Sequence, residues 1–150
     1  MTMVGSRVFL DTNILVYPSA RTSPFHAQAL RAITSREQAD LELWISRQVL
    51  REYLATVTRS ALSSPRITLA MIVAEVQSFE ERFRVGDENR DITTRLLDLL
   101  VQHPMGGRQV HDANIVATML AYGIDQILTH NVADFKRFSH LITILPLGAA

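Results

Sequence analysis

The stretch VFLDTNILVY, residues 8–17, sets one aspartate between two apolar runs. Arg7 to Leu10 are short, apolar and bounded by polar residues, the pattern of a buried strand that ends at Asp11. Asp, Thr and Asn also cap helices and form turns, so DTN reads equally as the start of a short helix through Ile14 to Tyr17. The fold turns on the elements that come after this strand.

Ser23-Pro24 reads as a helix start, with Ser23 as cap and Pro24 at the first helical position, and the helix extends to Gln38. Leu43 to Ile45 form a second strand, and Ser46 then caps a helix that carries Val49, Leu50, Tyr53, Leu54 and Val57 at helical spacing. The SSPRIT stretch breaks the chain. Beyond it the pattern predicts helices over Leu69 to Phe83 and Asp91 to Val101, with a brief extended piece over Phe83 to Val85. After the loop His103-Pro104-Met105-Gly106-Gly107 a further helix runs from Gln109 to Tyr122 and stops at Gly123. Ile124 to Thr129 and Leu141 to Leu145 close the chain as strands.

Strands alternating with helices of this length predict an α/β fold, a mainly parallel sheet with helices on both faces joined by right-handed crossovers. Ligands of such sheets bind outside the carboxyl ends of the strands, which is where Asp11 falls. No internal repeat, low-complexity tract or linker divides the 150 residues, so a single domain over 1–150 is expected.

Several acids are out of place on this pattern. Asp112 stands early in QVHDANIVATMLAYG, a helix apolar nearly all round; it either faces a wet cleft or interacts with the helix N-terminus. Asp134 lies in the polar loop of ILTHNVADF, just past a late strand. Glu52 points away from its helix's apolar stripe, so periodicity alone makes it solvated. Asp11, Asp112 and Asp134 are expected near one edge of the sheet. Two unit charges about 4 Å apart repel by ~4 kcal/mol at an effective dielectric near 20, and a hard divalent cation is the natural neutraliser. Magnesium and manganese favour such oxygen ligands and bring phosphate into the same shell.

Composition narrows the chemistry. The absence of cysteine excludes disulfides, thiolate nucleophiles and cysteine-ligated metals. Fifteen basic residues balance fifteen acidic ones, so any attraction to nucleic acid must be local. No segment reaches the ~20 apolar residues of a membrane span, and the N-terminal MTMVGSRVFLD lacks a leader's apolar region, so a cytoplasmic location is expected.

The pieces FLDTNILVY, ISRQVLREYL, HDANIVATMLAYG and LTHNVADFKRF, the last followed by ITILP, resemble the PIN-domain family, and within it the VapC-type toxins of toxin–antitoxin pairs. Their order matches the family's, and they span nearly the whole chain. The resemblance implies a three-layer α/β/α fold and a magnesium- or manganese-dependent ribonuclease acting on RNA, with a homodimer and an inhibitory antitoxin as partners. It also implies that Asp11, Glu52, Asp112 and Asp134 form the metal site, promoting Glu52 from the solvated face. Some relatives carry an acid where this chain has Asn131.

Thr12, Asn13, Ser46, Thr129 and Asn131 then become groups that orient the carboxylates or the water, or else remain caps and turn formers. Arg108, His111, Lys136 and Arg137 flank the acids as candidate contacts to the RNA backbone, or as ordinary surface charge. Two other phosphate-handling α/β classes fit poorly: a haloacid-dehalogenase-type phosphatase needs a second aspartate where Asn13 stands, and a receiver domain needs a lysine directly past a late strand. A PIN-like module that binds RNA or protein without cutting is the remaining alternative.

Overall fold

The computed structural model describes residues 6–64 and 66–148. The first residues of the N-terminal stretch and Pro65 of the SSPRIT break lie outside the described residues.

Five strands, β1 (Arg7–Leu10), β2 (Glu42–Ser46), β3 (Arg84–Gly86), β4 (Gln126–Thr129) and β5 (Thr143–Pro146), form one sheet in the order β3-β2-β1-β4-β5. Every pairing is parallel. β1 is central, and Val8, Phe9 and Leu10 are fully buried. That burial on both faces explains why the strand reads as a continuous apolar run rather than an alternating one. At the edge, β5 ends in Pro146, where a missing N–H costs no ladder bond.

From β1 to β2 the chain passes through α1 (Thr12–Ser19) and α2 (His26–Gln38), and from β2 to β3 through α3 (Arg47–Ala61) and α4 (Leu69–Arg82). It then returns to the other side of β1 through α5 (Arg90–Gln102) and α6 (Gln109–Ala121), and reaches β5 through the short α7 (Val132–Phe135) and a 3-10 turn, Lys136–Phe138. Right-handed crossovers place α1 to α4 on one face and α5 to α7 on the other, because the direction of strand addition reverses at β1. This is the α/β/α sandwich expected from the sequence. The reversal also opens a crevice between the carboxyl ends of β1 and β4.

Local signals hold in most places. Ser46, Thr68 and Asn89 cap α3, α4 and α5 through their side chains. Gly123, at φ +67°, ends α6, and the Ile124 N–H reaches back to the Met119 carbonyl at 2.8 Å.

The start of α2 differs from expectation. Ser23 and Pro24 lie in a turn, and the helix begins at His26. Ser23 Oγ accepts from the Phe25 N–H at 3.1 Å, a local bond that competes with capping, and the helix starts two residues later than expected. β4 and β5 are likewise shorter at their first residues than the apolar runs suggest, β4 starting at Gln126 and β5 at Thr143. Ile124 and Ile142 are buried all the same, in the approaches to those strands.

Candidate active site

Asp11 ends β1, and its own N–H still bonds the Leu128 carbonyl of β4 at 3.1 Å. It therefore lies in the crevice at the reversal point. Its side chain is 6% exposed and accepts from the Thr12 N–H at 2.8 Å, from Asn13 Nδ2 at 3.2 Å and from Thr129 Oγ1 at 2.8 Å. The two readings of DTN are thus both true. Asp11 is the N-cap of α1 and a buried carboxylate of the crevice. Burial pushes its carboxyl above the usual range, the bonds from Thr129, Thr12 and Asn13 pull it back, and the Glu52 charge raises it again.

Glu52 comes from α3. Its Oε2 accepts from Thr12 Oγ1 at 2.7 Å and its Oε1 from Gln48 Nε2 at 2.9 Å. The solvated face read from periodicity is therefore corrected: Gln48 and Glu52, four residues apart, form a row beside the apolar stripe that turns toward α1 and α6.

Asp112 lies in the first turn of α6, a helix with Arg108 at its N-cap and no side-chain cap bond. Its carboxyl is raised to about 6, first by burial and then by the charges of Asp134, Asp11 and Glu52, with Arg108 acting in the opposite direction. The charges of three further acids, each from a separate segment, therefore act on Asp112. Asp134 is exposed in the first turn of α7.

The accompanying residues divide. Thr12, Asn13 and Thr129 bond the acids directly, as above. Asn131 joins through its backbone, its N–H donating to Thr129 Oγ1 at 2.9 Å, while its side chain makes no capping bond to α7. Ser46 is fully buried and caps α3 by accepting from the Val49 N–H. Arg108, His111, Lys136 and Arg137 are all exposed, around the mouth of α6 and on the turn after Asp134.

One buried residue escaped the sequence reading. Gln48, 4% exposed, donates to Glu52 and to the His111 carbonyl at 2.8 Å, and accepts from Asn114 Nδ2 at 2.7 Å. It ties α3 to α6, and so Glu52 to the turn that carries Asp112. In sequence a glutamine beside an arginine on a helix gives no sign of this; only the four-residue spacing to Glu52 hints at it.

The donor set is all carboxylate oxygen, mutually repulsive and only partly countered by Arg108, which suits a hard divalent cation. Among the described residues no three of the acids or histidines converge closely enough to close on one ion. The oxygens of Asp11 and Glu52 instead face hydroxyl and amide donors.

The PIN domain family model matches residues 8–141. The chain belongs to the PIN-domain family. It is similar to "Ribonuclease VapC48" of Mycobacterium tuberculosis (strain CDC 1551 / Oshkosh), 28% identical over 133 residues, covering 85% of this chain and 89% of the relative. Among solved structures, VapC20 of Mycobacterium tuberculosis, described as a sarcin-ricin loop cleaving toxin, aligns with a TM-score of 0.61 at 22% identity, over 80% of this chain and 86% of that one. VapBC-1 from nontypeable Haemophilus influenzae aligns with a TM-score of 0.64 at 20% identity, over 95% and 99%. The likeness to these structures supports the PIN fold. No helix among the described residues is long and apolar enough to cross a membrane.

Proposed function

We propose that this PIN domain is an endoribonuclease that hydrolyses RNA phosphodiester bonds with magnesium or manganese, and that it is the toxin of a toxin–antitoxin pair. The observation that carries the reading is that Asp112, at the carboxyl edge of the sheet, is raised to about 6 by burial and then by the charges of three further acids, Asp134, Asp11 and Glu52. Family membership and the ribonuclease relative support it.

Asp11 and Asp112 would hold the cation, with Glu52 and Asp134 beside it. When bound, the ion supplies Lewis acidity toward the phosphate and a water of lowered pKa. The chain's own residues preorganise this. Thr129, Asn13 and the Thr12 N–H fix Asp11, Thr12 Oγ1 and Gln48 fix Glu52, and Arg108 limits the repulsion at Asp112. Arg108, His111, Lys136 and Arg137 would contact the RNA backbone around the mouth of the crevice.

The VapBC relatives support an antitoxin partner. A covered surface, shared with an antitoxin or a second copy, suits the exposed apolar side chains Leu62, Leu69, Met71 and Val73 at the end of α3 and along α4. Sedimentation giving only monomer at micromolar concentration would remove the homodimer.

The second reading, a module that binds RNA or protein without cutting, rests on the lack of a three-acid group tight enough for one ion among the described residues. Cleavage of structured RNA with and without magnesium or manganese, by the parent and by Asp11→Asn and Asp112→Asn, decides between them. Metal-dependent cutting lost in both variants is the expected result. Equal cutting in all three removes the metal site at Asp11 and Asp112, and binding without cutting in all three removes the nuclease reading.

A further inference from the structure

Beside the acids, three rings from three separate segments meet. Phe25 and His130 lie with centroids 4.2 Å apart and planes at 45°, Tyr17 sits 5.1 Å from Phe25, and Tyr17 meets His130 edge-on at 5.7 Å. His130 is exposed, while Tyr17 and Phe25 are half-buried against the core. The group is wired to the crevice. The His130 N–H donates to Asn13 Oδ1 at 3.1 Å, and the amide of that same Asn13 donates to Asp11. Tyr17 stands near enough that the Asp11 charge, after burial, raises its phenol. His26, whose Nδ1 bonds the Tyr17 carbonyl at 3.1 Å, must donate there, since a carbonyl only accepts, and it anchors the Tyr17 backbone.

Tyr17 and Phe25 pack against the core and against each other, between α1 and the start of α2. The third ring, on His130, adds an outward face rather than core, because that residue is exposed and its backbone is pinned to Asn13. The chain carries no net positive charge, so phosphate attraction is confined to the few basic residues at the mouth of the crevice. Contact with bases has to supply the remainder, and an aromatic face accepts any base.

We propose that Tyr17, Phe25 and His130 form a stacking platform for one unpaired nucleobase of the RNA, next to the phosphodiester at the acids. The platform deepens the ribonuclease reading and rests on it for the identity of the ligand.

The test uses fluorescence anisotropy with a labelled single-stranded RNA hexamer and a matching hexamer without bases, on protein carrying Asp112→Asn to prevent turnover. The base-bearing strand is expected to bind roughly ten-fold more tightly than the abasic one, the scale of one base–aromatic stack. Adding His130→Leu should erase most of that difference, and adding His130→Phe should keep it, with thermal melting confirming that both variants fold. Equal binding of the two strands, no binding of either, or His130→Leu behaving as His130 does, each overturns the platform. So does a His130→Leu defect seen only in capture of a protein partner. Failure of the nuclease reading shows elsewhere, in cleavage that does not depend on Asp11, and leaves the base-versus-abasic comparison intact.

Discussion

Thr129 Oγ1 donates to Asp11 Oδ2 at 2.8 Å, joining the carboxyl ends of two adjacent parallel strands whose residues lie 118 positions apart. The same hydroxyl accepts from the Asn131 N–H, so one buried oxygen holds both the aspartate and the loop that leads to Asp134. Replacing Thr129 by Val keeps the shape and deletes both bonds. The buried carboxylate then loses one of its three donors and the Asn131 N–H loses its acceptor, which costs about 1–3 kcal/mol. Urea unfolding should show that loss, and cleavage should fall because Asp11 is free to turn. A midpoint within experimental error of the parent would show that water replaces the hydroxyl at no cost.

Asp112 makes stability depend on pH in an unusual direction. Its folded carboxyl, raised to about 6, stands above the ordinary value of 3.8. Between those values the folded state binds more protons than the unfolded one, so the contribution is fully present below about pH 4 and is lost as pH rises through 6. Water screens this half-buried group, and the effect is on the order of 1 kcal/mol. Without divalent metal, Asp112→Asn should therefore melt slightly higher than the parent at pH 7 and no lower at pH 4, while losing activity. Magnesium or manganese should raise the melting temperature of the parent more than that of the variant. A variant that melts lower than the parent at pH 7 would contradict the repulsion.

The fold was readable because its signals are local and consistent. The apolar run of Val8 to Leu10, the cap at Ser46 and the stop at Gly123 each name an element or its end. Asp11 and Asp112 were visible as acids set in apolar surroundings. Glu52 was not, because a hydrophobic stripe marks the side of α3 that faces the core and says nothing of a crevice at its margin. Its orientation depends on Thr12 and Gln48, which no window of helical length contains together. Ser23 misled for a related reason: a serine before a proline offers a cap and a turn alike, and the chain takes the turn.

Gln48 should behave as a positioning residue. Gln48→Leu fills the same space but leaves the His111 carbonyl and Asn114 without their buried partner and Glu52 with Thr12 alone. A stability loss of about 1–3 kcal/mol is expected. Activity should fall in kcat more than in KM, because the residue sets the direction of Glu52 and is itself too buried to touch a large substrate. Asn114→Ala should show a smaller effect of the same kind. If Gln48→Leu changes only KM, the residue acts on binding and the assignment is wrong.

Arg108, Lys136 and Arg137 separate by salt dependence. Each phosphate contact removed should lower the slope of log affinity against log salt by about 1, with binding weakened evenly across RNA sequences. Arg108→Ala carries a second signature, since Arg108 is the charge that lowers Asp112. Its loss should move the acid limb of the pH–activity profile to higher pH, whereas Lys136→Ala and Arg137→Ala should leave that limb in place. A profile unmoved by Arg108→Ala would assign it to the surface.

Asn131 and Asp134 compete for the role of fourth acid, and the geometry separates them. Asp134 is the foremost of the charges acting on Asp112, although its side chain is exposed. Asn131 is nearer in sequence to Thr129, and its side chain is free of a capping bond. Asn131→Asp places a carboxylate at a helix N-cap, where it is well tolerated, so the fold should persist. It also adds a charge on the residue that Thr129 links to Asp11, which should raise affinity for a hard cation through ligand charge. Calorimetric titration with manganese should show tighter binding for Asn131→Asp and weaker binding for Asp134→Asn, each by roughly ten-fold. If Asp134→Asn binds manganese as the parent does while Asn131→Asp still tightens it, the fourth position belongs to residue 131. In this chain a neutral amide would then stand at the fourth position.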